Sequence, residues 1–269
     1  MSRILVYPMV ERASVLFSLF CLIVSLSQLS CDTQAQRKKT KGISEATQNE
    51  PAVTDGVYKA YFKNGKLKVE IPYQKGKKSG IGREFYETGI IYQEIEYRNG
   101  LKHGLAKRYY ENGAIHQVTT YDSNRRHGKL EKFKSDGSVL SVATYYEDEP
   151  CRGLVEYLRD GTIKKNYPTI VITAINSLLK NDTYTLRFSL SDNHRAVEFF
   201  IGELSKEGCM INRLEKVDDF DRDGVATLDF YLPKGTFMMR TINVIAKVKT
   251  VQDNYYITEK RYNIAIEHN

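Results

Sequence analysis

Glycine recurs at positions 65, 89, 113, 137 and 161, always 24 residues apart. Self-similarity at a fixed period of about 20 to 50 residues means a stack of one supersecondary unit, because no single unit buries its own apolar face. Other columns keep the same step. A second glycine column runs through 56, 80, 104 and 128. Aromatics fill Tyr61, Phe85, Tyr109, Phe133 and Tyr157, tyrosine fills 73, 97, 121 and 145, and aliphatics fill Leu67, Ile91, Ile115, Val139 and Ile163. Asn64-Gly65, Asn112-Gly113 and their counterparts are hairpin chemistry, since the turn needs a positive φ that glycine adopts without strain. Residues 53–167 therefore read as about five copies of a two-stranded hairpin.

Each copy places its first strand near 57–62 and its second near 66–73. A three-residue loop with glycine at a bulge joins them, and a longer turn carrying Gly76 or Gly100 leads to the next copy. Alternation assigns the apolar columns 57, 61, 67, 71 and 73 to one face and the polar columns 60, 66, 70 and 72 to a wet face. The fifth copy falls out of step after Tyr145, with Arg152 where a glycine belongs, as end units of arrays often do. The end near Pro168 then reads as a cap or docking point, and the edge near Asp55 as the place where a partner strand adds.

These residues resemble the bacterial variant of the MORN repeat, whose form is Tyr-x-x-Gly-x-x-His-Gly followed by an aromatic and a turn glycine. Tyr97 to Gly104 matches it fully. Tyr73 to Gly80 has Ser79 in place of His, and Tyr121 to Gly128 has Asn124 in place of Gly but keeps His127. The repeat's Trp is replaced by Tyr or Phe throughout. The resemblance implies an interaction or scaffold module. Some bacterial variants carry an antitoxin label, which implies an immunity or antitoxin-like protein neutralising a toxin as the alternative.

Residues 1–30 read as a signal peptide. Arg3 and Arg12 precede an apolar run from Ala13 to Leu26, too short for a comfortable membrane span, and small and polar residues follow. Leu29-Ser30-Cys31 resembles a lipoprotein box, departing from it at Gln28, and implies lipidation of Cys31. Ordinary cleavage near Ser30 and a retained anchor helix are the alternatives. Residues 31–52 lack periodicity and bulky apolar side chains and read as a flexible tether. The expected address is the bacterial cell envelope, at the outer membrane or cell surface.

From Pro168 the pattern changes to longer strands at 169–175, 183–190, 196–204, 225–232, 242–251 and 255–267, the last with a break expected at Glu259. Short β runs with turn residues between them suggest a sandwich over 168–269, of the size of an immunoglobulin-like domain. The fold class is thus all-β, with tandem hairpins forming an elongated antiparallel sheet followed by an Ig-like β-sandwich. Cys151 and Cys209 are the cysteines outside the leader and Cys31; export permits a disulfide without requiring one. Asp219, Asp221 and Asp223 with Gly224 match the first half of a calcium loop, but Phe230 stands where the closing Glu belongs, so a polar hairpin turn is the plainer reading.

Charge is uneven. Residues 53–167 carry 21 Lys/Arg against 15 Asp/Glu, and residues 168–269 carry 13 against 14. The surplus is spread over every copy as a solubilising face, and export argues against a nucleic-acid partner. No nucleophile–base pair, metal motif or phosphate loop appears. Of the five histidines, His103 and His127 fill repeat positions, His116 is expected on the wet side of a hairpin, His194 in a turn, and His268 at a frayed end. The expectation is a non-catalytic scaffold without cofactor or metal, bound to the membrane by its lipid and to an unidentified protein or glycan.

Overall fold

The computed structural model describes residues 54–210, 213–221 and 223–269. The leader, the tether and Cys31 lie outside the described residues. The chain forms β1 (Gly56–Tyr61), β2 (Leu67–Gln74), β3 (Lys77–Lys78), β4 (Gly80–Phe85), β5 (Ile91–Arg98), β6 (Leu101–Tyr109), β7 (Ile115–Asp122), β8 (Arg125–Phe133), β9 (Val139–Tyr146), β10 (Glu149–Pro150) and β11 (Val155–Glu156). All belong to one 11-stranded antiparallel sheet in which the main strands lie in chain order, β1-β2-β4-β5-β6-β7-β8-β9-β10.

Two turn types alternate along the sheet. Inside each copy the loop has three residues. In the first, Phe62 N donates to Lys66 O at 2.8 Å and Gly65 N to Phe62 O at 3.0 Å, and the pattern recurs at Gly89, Gly113, Gly137 and Gly161. Between copies the turn is shorter than expected. Lys75-Gly76, Asn99-Gly100, Ser123-Asn124 and Glu147-Asp148 each have two consecutive positive φ values, the signature of a two-residue type I′ turn whose twist matches the strands it joins. The turn tips also stack, with Gly76 N, Gly100 N, Asn124 N and Asp148 N donating to Thr54 O, Lys78 O, Lys102 O and Arg126 O of the preceding tip.

The face assignment needs correction. Tyr61 pairs with Leu67, but Ala60 pairs with Val69, so Lys68 is an extra residue in β2. The same bulge recurs at Tyr92, His116 and Leu140. One inserted residue flips the parity of everything beyond it. Residues 57, 61 and 67 therefore share one face, while 71 and 73 lie on the other with Tyr58.

The remaining strands are β12 (Ile170–Ser177), β13 (Thr183–Leu190), β14 (Val197–Ile201), β15 (Glu215–Lys216), β16 (Ala226–Tyr231), β17 (Thr236–Lys249) and β18 (Tyr255–His268), with one helical turn α1 (Leu178–Asn181). They form two sheets, β12-β13-β16 and β15-β14-β17-β18. Inward residues at every second position, such as Leu186, Phe188 and Phe199, meet Val244 and Ala246 in a shared core. Each buried side chain of this size contributes roughly 1.5–3 kcal/mol. β17 begins earlier than expected and β18 does not break at Glu259, because the two pair along their whole length from Thr236↔His268 to Lys249↔Tyr255. His268 is accordingly not frayed. It is buried, and its Nδ1 lies 2.9 Å from Leu232 O.

The far end of the repeat sheet is closed by this second part. Cys151 and Cys209 form a disulfide. They also form an antiparallel bridge, with Arg152 N donating to Gly208 O and Met210 N to Pro150 O. Leu130, Ala143, Tyr145 and Leu154 make a small core against Tyr167 and Tyr256, whose rings stack at 4.3 Å. Beside it lies Glu156, which is fully buried. Its carboxylate accepts from Thr250 Oγ1 at 2.5 Å, Asn254 Nδ2 at 2.9 Å and Lys164 Nζ at 3.3 Å.

Candidate interaction surface of the repeat sheet

The first three copies present two chemically different faces and, among the described residues, one edge with no neighbouring strand. On the first face, a row of charges crosses the strands in register as Lys59, Glu70, Arg83, Glu94 and Lys107. Lys59 Nζ lies 3.4 Å from Glu70 and Arg83 Nε 3.0 Å from Glu94. Tyr109 OH donates to Glu94 at 2.8 Å. Burial, and then the Glu94 carboxylate, push the Tyr109 phenol up to about 12. For Glu94 burial acts upward, but the bonds from Tyr109 and Arg83 outweigh it and hold its carboxyl below the usual range. Apolar side chains flank the row. On one side Tyr61, Phe85, Tyr109 and Phe133 pair with Leu67, Ile91, Ile115 and Val139. On the other, Val57, Ile81 and Leu105 remain exposed.

The second face has a buried middle row in which Ile71, Gly82, Ile95 and Thr119 take part. Beside it tyrosines alternate with cations. Lys78 sits over the Tyr97 ring at 5.6 Å, Lys102 over Tyr121 at 5.3 Å and Arg126 over Tyr145 at 4.1 Å. Such contacts contribute about 0.5–1 kcal/mol each when exposed. They hold the tyrosine ladder as structure.

The repeat motif now has a physical explanation. The tyrosine packs on this second face, the first glycine takes the type I′ turn, and the His-Gly pair lies two residues into the next strand, as His103-Gly104 in β6 and His127-Gly128 in β8. Gly104 has φ +95°, a backbone conformation that glycine adopts without strain and an L side chain does not, and it lies against the Glu96 side chain of the opposing strand. His103 and His127 have separate partners, His103 Nδ1 lying 3.2 Å from Asp122 Oδ1 and the His127 ring 4.8 Å from the Tyr146 ring. His116 is the bulged residue of its copy. It packs half-buried on Tyr110 at 4.5 Å instead of facing water, and burial beside Arg108 and Lys132 lowers its pKa.

The aspartates of the 219–224 segment also diverge. Asp219 accepts from Thr227 Oγ1, Asp221 from Asp223 N and Val225 N, and Asp223 from Arg195. The segment is a hairpin turn, with Asp221 N donating to Val225 O. Among the described residues no group of three or more His, Cys, Asp or Glu is placed to hold a metal. Lipidation at Cys31 falls outside the described residues.

The MORN repeat variant model matches residues 54–75, 78–99 and 102–123. Three tandem MORN-variant repeats are present. The matched spans step by 24 residues, and the unmatched fourth hairpin, β8–β9, repeats their loop and bulge. No curated protein matches the chain. Among solved structures, the extracellular domain assigned to a one component system of B. thetaiotaomicron is similar at 11% identity and a TM-score of 0.22, covering 78% of this chain. The chain spans 31% of that domain's length.

Proposed function

We propose that the protein is a non-catalytic scaffold of the bacterial cell envelope, exported and anchored through a lipid on Cys31, that binds a protein or glycan through its MORN-variant sheet. The observation that carries this reading is the sheet itself: among the described residues, a repeated surface open on both faces over its first three copies and closed at the end that meets the C-terminal sandwich. Its charged and aromatic side chains are engaged in cross-strand ladders, which suits a rigid binding surface better than acid–base chemistry. The buried Cys151–Cys209 bond fits an oxidising compartment and so supports export. The strand orders β12-β13-β16 and β15-β14-β17-β18 correspond to A-B-E and C′-C-F-G of an immunoglobulin-like sandwich, which supports that assignment for 168–269. Nucleic acid is not the expected partner.

Cross-linking in intact cells followed by affinity capture tests the reading. A defined partner protein is expected. Recovery of none, together with binding on a glycan array, moves the reading to a lectin-like module, and recovery of a toxin moves it to an immunity protein. Silence in both assays removes it. For the anchor, Cys31→Ala should abolish acyl labelling and leave a slower-migrating precursor, and unchanged labelling would remove the anchor from the proposal.

A further inference from the structure

The two edges of the repeat sheet are treated differently. The far edge, at β10, is covered by the 208–210 segment and pinned by the disulfide. The near edge is β1, which among the described residues pairs only with β2. An uncovered edge strand is a template for another strand, and proteins ordinarily cover it, bend it, or place proline or a charged side chain, lysine above all, in it. β1 reads Gly-Val-Tyr-Lys-Ala-Tyr and contains no proline, so Lys59 is its one such guard, and a guard of that kind repels a basic strand and admits an acidic one.

The register says which groups are free. Pro72 pairs with Val57, and Pro72 O accepts from Ser79 N on the opposite side of β2. Val57 and Pro72 are therefore a non-hydrogen-bonded pair, and by alternation the N–H and C=O groups of Val57, Lys59 and Tyr61 point outward. The same three side chains stand on the charge-row face. Their exposure shows the vacancy: Val57 is 51% exposed where its counterparts Ile81 and Leu105 are 41% and 38%, and Tyr61 is 59% exposed where Phe85 and Tyr109 are half-buried.

The charge row shows what is missing. Arg83 lies between two acids, Glu70 and Glu94, in register on its two sides. Lys59 has Glu70 on one side and, among the described residues, no strand on the other. The first copy is also the most basic, with seven lysines between 54 and 78 against Asp55 and Glu70. The tether does not continue the repeat, since the period would require a turn glycine at 41 and a tyrosine at 49, where Lys41 and Asn49 stand. A second copy of the protein pairing antiparallel about the middle of β1 would bring Lys59 close to itself, and like charges on facing strands repel.

We propose that β1 is a strand-addition site for an extended, acidic segment of a partner protein, pairing antiparallel with Val57–Tyr61 and placing a carboxylate opposite Lys59. This deepens the scaffold reading above and rests on it. The backbone ladder supplies affinity, and the Lys59 position with its apolar neighbours Val57 and Tyr61 supplies preference.

The test uses two capped peptides differing at one residue, Thr-Val-Glu-Val-Thr-Tyr and Thr-Val-Lys-Val-Thr-Tyr, titrated into the purified full chain and followed by amide NMR. The acidic peptide should perturb the Val57, Lys59 and Tyr61 amides, slow their exchange, and bind roughly five- to tenfold more tightly than the lysine peptide. Lys59→Glu should reverse that order. Val57→Pro removes an outward N–H without touching the β1–β2 bonds, so it should leave the thermal midpoint and the β2 amides in place while abolishing the peptide response. Equal affinity for both peptides, no response, or a response confined to other residues overturns the proposal. So does a concentration-dependent dimer that perturbs the same amides without peptide. A cellular partner captured equally by the native chain and by Val57→Pro leaves the scaffold reading standing and removes this one.

Discussion

Cys209→Ala is expected to lower the free energy of unfolding by roughly 4 kcal/mol, the chain-entropy value for releasing a closed loop of this length. The loop spans 58 residues from Cys151 to Cys209. Both cysteines are almost fully buried, so each single variant also leaves a small apolar defect. The signature is non-additivity: Cys151→Ala, Cys209→Ala and the double variant should all lose about the same amount, since one bond is removed in each case. Chemical denaturation measures this, and adding a reductant to the native protein should reproduce the loss. The position of the bond makes the effect more than a staple on an already folded loop. It holds the 208–210 segment against the last strand of the array, so its removal should loosen the contact between the sheet and the sandwich before either loses its own strands. Amide exchange at Arg152 and Met210, whose N–H groups donate across that seam, should rise first. Additive losses, or a double variant as stable as the native protein, would mean that the bond does not form in solution.

The seam could not have been read from the sequence, and the reason is specific. Cysteine pairing depends on which surfaces dock, and nothing near Cys151 or Cys209 encodes that contact locally. The repeat was legible because its turns are local chemistry: Asn64-Gly65 and Asn112-Gly113 need no tertiary context to favour a positive φ at glycine. Strand positions followed from the turns. The faces did not, because the bulge at Lys68, Tyr92, His116 and Leu140 has no common residue type, and a single inserted residue inverts every assignment after it. Only the recurring register shift reveals it.

The candidate interaction surface was half legible for the same reason. The charged and aromatic columns are visible as columns, but the row from Lys59 to Lys107 exists only once the register is known. The open edge near Asp55 follows from the array simply starting there. The closure of the other edge follows from the fifth copy falling out of step after Tyr145, but the residues that close it, at 208–210, do not. His268 shows the limit from another side. A histidine one residue from the end of the given sequence reads as frayed, yet Thr236↔His268 pairing and the Leu232 carbonyl fix it.

Glu156→Ala is expected to cost about 3 kcal/mol, the lower end of what breaking a buried ion pair costs. The lower end applies because the partner Lys164 keeps 27% of its side chain exposed and finds water when the carboxylate is gone. Glu156 occupies the column of Ala60, Glu84, Arg108 and Lys132, where the second and third copies hold their charges half-exposed or exposed. In the last copy the β17–β18 turn docks on it and excludes water, so Thr250, Asn254 and Lys164 all converge on one carboxylate. Burial beside the Glu156 charge also raises the pKa of the Tyr167 phenol, whose oxygen lies 3.5 Å away. A loss of this size should lower the thermal midpoint by roughly 6–12 °C for a chain of this size. Glu156→Gln retains an acceptor for Thr250 but leaves Lys164 without its counter-charge, and should lose about half as much. Adding Lys164→Met to Glu156→Ala should recover part of the loss, since the orphaned ammonium is then removed as well. The damage should be local, with faster amide exchange in residues 250–254 and none in β1 to β5. A midpoint within a degree of the native protein would show that the hairpin does not dock on the array, and the closed end of the sheet would then have to be held by the disulfide alone.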